Sequence, residues 1–350
     1  QTCALPIWSA SMRRRVWIPL LAVIAILAGG AMAASFAWRA LNTPLAIPAD
    51  GTWLEVEGGA SLRRVATQLG ERGVLRHPWL LTAYARGTRV ATKVRAGEYQ
   101  IPAGTTPISL LSKLIAGQVF LHQLTIVEGW RFIDLLQALR ADPAIVGSSL
   151  DGAHIMEALG APGVHPEGQF FPDTYSFPKG TPEMDVLRQA HQALVTHLEA
   201  AWQSRSPDTA LKSPYEALVL ASIVEKETAL SNERRLIAGV FTQRLRRNMR
   251  LQTDPTVIYG IGDTFDGNLR RSDLERDTPY NTYTRGGLPP TPIALPGAAA
   301  LEAAVKPEIG EAIYFVATGR GDGSHHFSAT LEEHEGAVRD YLRQLREQAR

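Results

Sequence analysis

Residues 16–38 run for 23 positions without a charged side chain. As a helix this stretch reaches roughly 35 Å, enough to cross the hydrocarbon core of a bilayer. A membrane span divides the chain into what lies before it and what lies beyond it. Arg13, Arg14 and Arg15 precede the span, so the positive-inside rule puts the N-terminus in the cytoplasm and everything after Arg39 on the far side. Pro19, Gly29 and Gly30 are tolerated in such a helix. A cleaved signal peptide is the rival reading, because Ala31-Met32-Ala33 offers the small residues of a cleavage site. The apolar stretch is long for a signal peptide, which favours an anchor. Either way the main body is exported.

The body has the composition of an ordinary globular protein, 45% hydrophobic and 20% charged over 350 residues, with a net charge of +1. That balance implies no nucleic-acid partner, and no basic stripe interleaved with aromatics is present. The single cysteine, Cys3, rules out an internal disulfide. Residues 1–11 have no periodicity and read as a non-native or disordered tail ahead of Met12, with the stub and span over 12–39. Residues 40–50, with Pro44 and Pro48, read as a linker.

A small unit over 51–120 follows. Residues 52–56 read as a strand, 61–70 and 78–86 as helices, and 98–101 as a second strand; Thr106 caps a further helix from Pro107 that Gly117 closes. The order strand, helix, helix, strand resembles LysM modules, which bind the glycan backbone of peptidoglycan; a packing domain without a ligand fits the same pattern. Residues 119–127 and 130–140 then repeat a strand followed by a helix, and Val56-Glu57-Gly58 recurs as Val127-Glu128-Gly129. The aromatic loop 165–175 offers Glu167 and Asp173 either to a sugar cleft or to nothing but its own rings. A helix over 184–202 leads to the centre of the chain.

That centre is 213–260. Ser213-Pro214-Tyr215-Glu216 combines a capping hydroxyl, a proline at the first helical position and a glutamate three residues after the cap. The next residues, Ala217 to Val224, are apolar around almost the whole circumference, which predicts a helix buried on all sides. Glu225 ends the run. Desolvation, the negative end of the helix dipole and the like charge of Glu227 all favour a proton on Glu225, as a general acid requires; a solvated last turn is the plainer alternative. Ser231-Asn232 opens a second helix with Leu236, Val240 and Leu245 inward and the arginines elsewhere. Gln252, Thr253 and Asp254 follow on a tight polar loop, where Asp254 can cap a helix beginning at Pro255.

Ala221-Ser222-Ile223-Val224-Glu225-Lys226-Glu227-Thr228, the stretch 251–260, Tyr280-Asn281-Thr282-Tyr283, Gly287-Leu288-Pro289-Pro290 and Tyr314-Phe315-Val316-Ala317 resemble, in order and spacing, the signature stretches of the YceG-like endolytic murein transglycosylases. Glu167-Gly168 and Phe171-Pro172-Asp173-Thr174 resemble a further family stretch. The resemblance covers most of the chain past the anchor. It implies an α+β fold: a transmembrane helix, a small LysM-like α+β subdomain and a larger, helix-rich α+β catalytic domain over 121–350. It implies that Glu225 is the acid/base, with Gln252, Thr253, Asp254, Tyr259, Asn281 and Tyr283 contacting substrate. Peptidoglycan glycan strands are the implied substrate, peptidoglycan synthases the implied partners, and no metal or organic cofactor is called for. The implied place is the cell inner membrane, single-pass, with the catalytic domain periplasmic.

In that chemistry the C6 hydroxyl of N-acetylmuramic acid attacks its own C1, so a tethered nucleophile replaces water and one carboxyl group suffices. Hydrolysis by Glu225 with Asp254 or Glu167 as base is the competing enzyme reading. A membrane-tethered glycan-binding protein without catalysis is the competing reading outside enzymology. Near the C-terminus, 312–317 and 325–328 read as a hairpin across Gly319-Arg320-Gly321-Asp322-Gly323. The spaced glycines lead into a strand and not a helix, so they make no phosphate loop. His325, His326 and His334 with Glu332 and Glu335 lack the histidine spacing of a zinc helix. Thr330 to Glu333 caps a terminal helix with Val338, Tyr341, Leu342 and Leu345 on one face.

Overall fold

The computed structural model describes residues 11–348, with side-chain surroundings from Pro19 onward, so the reading of residues 1–10 as a tail and of the Arg13 to Arg15 side chains lies outside the described residues. The chain is mixed α and β and divides into two compact units between Leu121 and His122.

The first unit begins with α1 (Ser11–Asn42), which from Pro19 to Asn42 is long and apolar enough to cross a membrane. Leu20, Leu21, Ile24, Leu27 and Met32 are all exposed along it, unlike the side chains of a core helix. The expected linker after it is pinned instead. Leu41 and Leu45 are buried in the first unit's core, the Leu45 N–H donates to the Thr105 carbonyl at 2.8 Å, and the Ala46 N–H donates to the Val74 carbonyl at 3.1 Å. The core is built by β1 (Thr52–Val56), α2 (Leu62–Glu71), α3 (Pro78–Gly87), β2 (Gly97–Ile101) and α4 (Pro107–Ala116), with β1 and β2 antiparallel and Leu54 opposite Tyr99. Thr106 and Ser109 form a reciprocal capping box at the start of α4, and Gly117 ends it at φ 67°, a left-handed position that favours glycine.

In the second unit β3 (Leu121–Thr125) leads to α5 (Phe132–Ala141), β4 (Ile145–Val146), α6 (Gly152–Ala158), β5 (Thr174–Pro178), β6 (Thr181–Pro182) and α7 (Glu183–Gln203). β3 pairs with β5, and β4 runs parallel to β6. Then come α8 (Pro214–Glu227), α9 (Arg234–Arg246), α10 (Asp254–Ile261), a 3-10 turn, α11 (Arg271–Glu275), α12 (Ala298–Val305), the antiparallel hairpin β7 (Tyr314–Ala317) and β8 (His325–Ser328), and α13 (Leu331–Gln348).

α8 is the axis of this unit and packs against α7, α9, α10 and α12. Ala217 to Val224 are all buried, and each Leu, Ile or Val so placed contributes about 1.5–3 kcal/mol of apolar burial. The Ser213 hydroxyl accepts from the Glu216 N–H at 3.2 Å, while Glu216 reaches one residue further back than a capping box expects, to the Lys212 N–H at 2.6 Å. Ser222 sits inside the apolar run because its hydroxyl bridges the Val219 carbonyl and the Ile293 N–H.

Several local expectations change. α9 starts at Arg234 with Glu233 at its cap, because Ser231 and Asn232 are spent in the preceding turn. Its inward face is Ile237, Ala238, Val240 and Phe241, and Arg244 is buried with them. Asp254 is the first helical residue of α10 and caps nothing; the Thr256 hydroxyl bonds the Thr253 carbonyl there instead. α12, which no cap or periodicity announced, is a central helix. The terminal helix α13 keeps no residue buried, and Leu342 and Leu345 on its expected inner face are exposed.

Candidate active site

The two glutamates at the end of α8 lie two residues apart, about 200° around a helix, and so face different surroundings. Glu225 is turned inward, its side chain only 6% exposed. Its Oε2 accepts the Gly297 N–H at 3.0 Å, and its Oε1 lies 3.6 Å from Arg234 Nη2. Gly297 is the cap residue of α12, so the carboxyl sits at the positive end of that helix. The absence of a side chain at Gly297 makes room for Glu128, whose Oε1 lies 1.8 Å from where a Cβ would stand. Burial holds the Glu225 proton more tightly than usual; the Gly297 N–H opposes this, and the neighbouring like charge that adds to it is Glu128, not Glu227 as the sequence suggested. Lys226, between the two acids, donates to the Gly129 carbonyl at 3.2 Å.

Glu227 faces a cavity of about 520 Å³, lined also by Arg244, Gln252, Thr253, Asp254, Tyr283, the β7 strand, His325, His334 and Tyr341. The Thr253 hydroxyl donates to Glu227 Oε1. Desolvation pushes the Glu227 carboxyl up to about 7 and the Asp254 charge adds to that; the Thr253 hydrogen bond, His325 and Arg244 act the other way. Asp254 Oδ1 accepts the Tyr283 hydroxyl at 2.6 Å, and burial with that bond keeps the Tyr283 phenol protonated far above its ordinary range.

The loop that presents these groups is held from both sides. Gln252 adopts φ 51°, an uncommon conformation for a residue with a side chain, and its N–H donates to the Thr282 carbonyl at 3.2 Å. The Thr253 N–H donates to the Thr282 hydroxyl at 3.1 Å. Beneath the loop, buried Arg244 donates to the Leu251 carbonyl at 2.6 Å and the Ile313 carbonyl at 2.7 Å. Desolvation makes Arg244 easier to deprotonate than an exposed arginine. The guanidinium ties α9, the 251–254 loop and the strand entry into one frame.

Of the residues expected at the site, Gln252, Thr253, Asp254 and Tyr283 line one cavity, and Glu227 lines it with them. Glu225 does not. Asn281 is fully buried and has a scaffold's hydrogen bonds: its Nδ2 donates to the carbonyls of Asp273, Leu274 and Arg276, and its Oδ1 accepts the Tyr283 N–H. It holds the Tyr283 loop in shape and has no surface to offer a sugar. Tyr259 lines a separate cavity of about 500 Å³ with Arg131, Lys226, Ile258 and Phe265. Its hydroxyl donates to Glu167 Oε2 at 3.1 Å, and Glu167 Oε1 accepts the Phe132 N–H at 2.9 Å. Glu167 is 4% exposed, and desolvation pushes its carboxyl up to about 7.

Sequence reasoning did not place Glu227, Arg244 or His325 at this cavity. The signal for Glu227 was present in the same motif as Glu225, and that for Arg244 in its register with the apolar face of α9.

A model of the YceG-like family matches residues 54–340. An endolytic murein transglycosylase of Bacillus subtilis is 30% identical over 309 residues, covering 83% of this chain and 84% of that protein. One of Streptococcus pneumoniae is 27% identical over 322 residues and covers 81% of this chain, which spans 57% of the pneumococcal protein's length. Among solved structures, a putative YceG-like protein of Listeria monocytogenes matches with a TM-score of 0.53 at 28% identity, over 82% of this chain and 98% of that one.

Proposed function

The chain belongs to the YceG-like family, and from that premise we propose that it is an endolytic murein transglycosylase whose acid/base is Glu227 and not Glu225. The reaction cleaves the bond between N-acetylmuramic acid and N-acetylglucosamine within a glycan strand and leaves a 1,6-anhydro end. Glu227 gives its proton to the glycosidic oxygen as the C1–O bond breaks. The C6 hydroxyl closes on C1, and its proton passes to the Glu227 carboxylate. No water is consumed, so no second carboxyl is needed to activate one.

The single observation that carries this reading is a carboxyl with its proton affinity near neutrality facing a cavity shared with Gln252, Thr253, Asp254 and Tyr283. A general acid works best when it titrates close to the working pH. Glu225 has its carboxyl committed to the Gly297 N–H and Arg234 and lines none of these cavities, which suits a structural strut.

The full-length chain in detergent, incubated with purified glycan strands and followed by mass spectrometry, tests the assignment. Glu227→Gln is expected to lose at least about a hundredfold in anhydro-product release, while Glu225→Gln keeps release within a few-fold and loses about 1–3 kcal/mol of stability. The reverse pattern sinks the assignment. Asp254 beside Glu227 favours one second reading, hydrolysis with paired carboxylates; reducing ends in place of anhydro ends support it.

The order β1, α2, α3, β2 supports a LysM-like subdomain over 51–120 that holds glycan, ahead of a catalytic domain over 121–350. The run of arginines ahead of the uncharged stretch 16–38 supports a single-pass inner-membrane protein with its N-terminus cytoplasmic and its active site periplasmic. Placement beside growing strands suits peptidoglycan synthases as partners.

A further inference from the structure

His325 opens β8 across from Ala317 of β7. Glu233, at the cap of α9 and 6% exposed, grips it twice: Oε1 accepts the His325 N–H at 2.9 Å, and Oε2 lies 2.7 Å from His325 Nδ1. One carboxylate thus binds the main chain and the ring of the same residue, which fixes the rotation of the imidazole about its own stem. Phe315 stands edge-on to the ring at 5.4 Å and closes another side. With Nδ1 directed to Glu233, Nε2 is the ring's remaining polar atom. The ring lines the Glu227 cavity, while His326, the next residue, is exposed as strand alternation requires.

We propose that His325, oriented by Glu233, is a positioning residue of the Glu227 cavity, the cation that meets the Glu227 carboxylate once its proton has gone to the glycosidic oxygen. This rests on the reading of Glu227 as the acid. The groups that face Glu227 are Thr253 and Asp254 from the loop and the start of α10, Arg244 from α9, Tyr283 from the following loop and His325 from β8; Tyr314 of β7 and His334 and Tyr341 of α13 line the same cavity. Thr253 is neutral, Asp254 repels a Glu227 carboxylate, and Arg244 is spent on the Ile313 and Leu251 carbonyls. His325 is the basic side chain held by a buried carboxylate of its own, the arrangement that orients a histidine for work at its other nitrogen.

The mechanism gives the sign. An imidazolium facing Glu227 favours its carboxylate, so removing it makes Glu227 keep its proton to higher pH. The first step needs the protonated acid, so the alkaline limb of the rate profile moves upward. In the full-length chain, His325→Gln is expected to move that limb up by about one pH unit and to lower kcat about tenfold with KM little changed. Glu233→Gln keeps the size and one acceptor of the clamp and is expected to move the limb in the same direction by less. Thermal unfolding monitored alongside separates a folding defect from a shifted profile, and Glu233→Gln carries the test if His325→Gln does not fold. A wild-type alkaline limb in folded variants, with Glu227→Gln inactive, overturns the role of His325 alone. Full activity in Glu227→Gln overturns both readings.

Discussion

At the scale of single residues, the chain buries more acid than its scaffold needs. Glu167 and Glu227 both titrate at about 7 in the folded protein against an ordinary 4.5. Each therefore holds its proton more tightly folded than unfolded, so its contribution favours folding fully below about 4.5 and is lost as pH rises through about 7. The 2.5 pH units between those values amount to about 3 kcal/mol for each carboxyl. Thermal melts are expected to show the midpoint falling between pH 5 and pH 8, and Glu167→Gln is expected to flatten that fall. The amide suits the replacement, because its oxygen accepts the Phe132 N–H while its nitrogen donates to the Tyr259 oxygen. A Glu167→Gln curve as steep as the parent's rules Glu167 out as the source. The same scale explains why the sequence alone did not tell the two glutamates apart. Two glutamates on one helix end are equivalent until their tertiary partners are known, and the deciding partners, Gly297 for one and Thr253 for the other, come from later in the chain. Asn281 poses a like difficulty: an amide on a polar loop reads as a ligand contact, and the three carbonyls around it come into view only in the fold.

At the scale of elements, what was legible had local chemistry. Ser213-Pro214 opened α8, Thr106-Pro107 opened α4 and Gly117 closed it, all where expected, and β1 covers the residues 52–56 read as a strand. What was hidden had none. α12 is alanine-rich and follows Leu295-Pro296-Gly297, a sequence that reads as loop, yet Ala300, Leu301, Ala303, Ala304 and Val305 are all buried against α8 and its neighbours. Small side chains allow that close approach, and small side chains carry little periodic signal. α9 makes a similar approach at Gly239, where a Cβ would stand 2.0 Å from the Glu308 carbonyl oxygen. The Glu308 N–H bonds the Arg235 carbonyl at 2.9 Å, so that segment is tied to the helix it would have to leave. Gly239→Ala is expected to cost about 1–3 kcal/mol, read as a lower urea midpoint with an unchanged slope; an unchanged midpoint shows that the segment yields freely.

At the scale of the whole molecule, the long apolar helix was visible in the sequence as an unbroken uncharged run. The pinning of 41–46 was not, because two prolines and small residues read as a tether. The orientation proposed from the arginine run predicts that a cysteine at exposed Ser204, placed in a Cys3→Ser background, reacts with an impermeant maleimide in intact spheroplasts. Protection until the cells are broken reverses the topology. Leu41 and Leu45 give the junction with the apolar helix a second consequence. Removing either from the core costs about 2–5 kcal/mol, so a secreted version of the protein has to begin upstream of residue 41 to keep its first unit intact. A protease that cuts between residues 41 and 46 would therefore both part the body from its long apolar helix and loosen the unit nearest the cut, making separation and partial denaturation a single event.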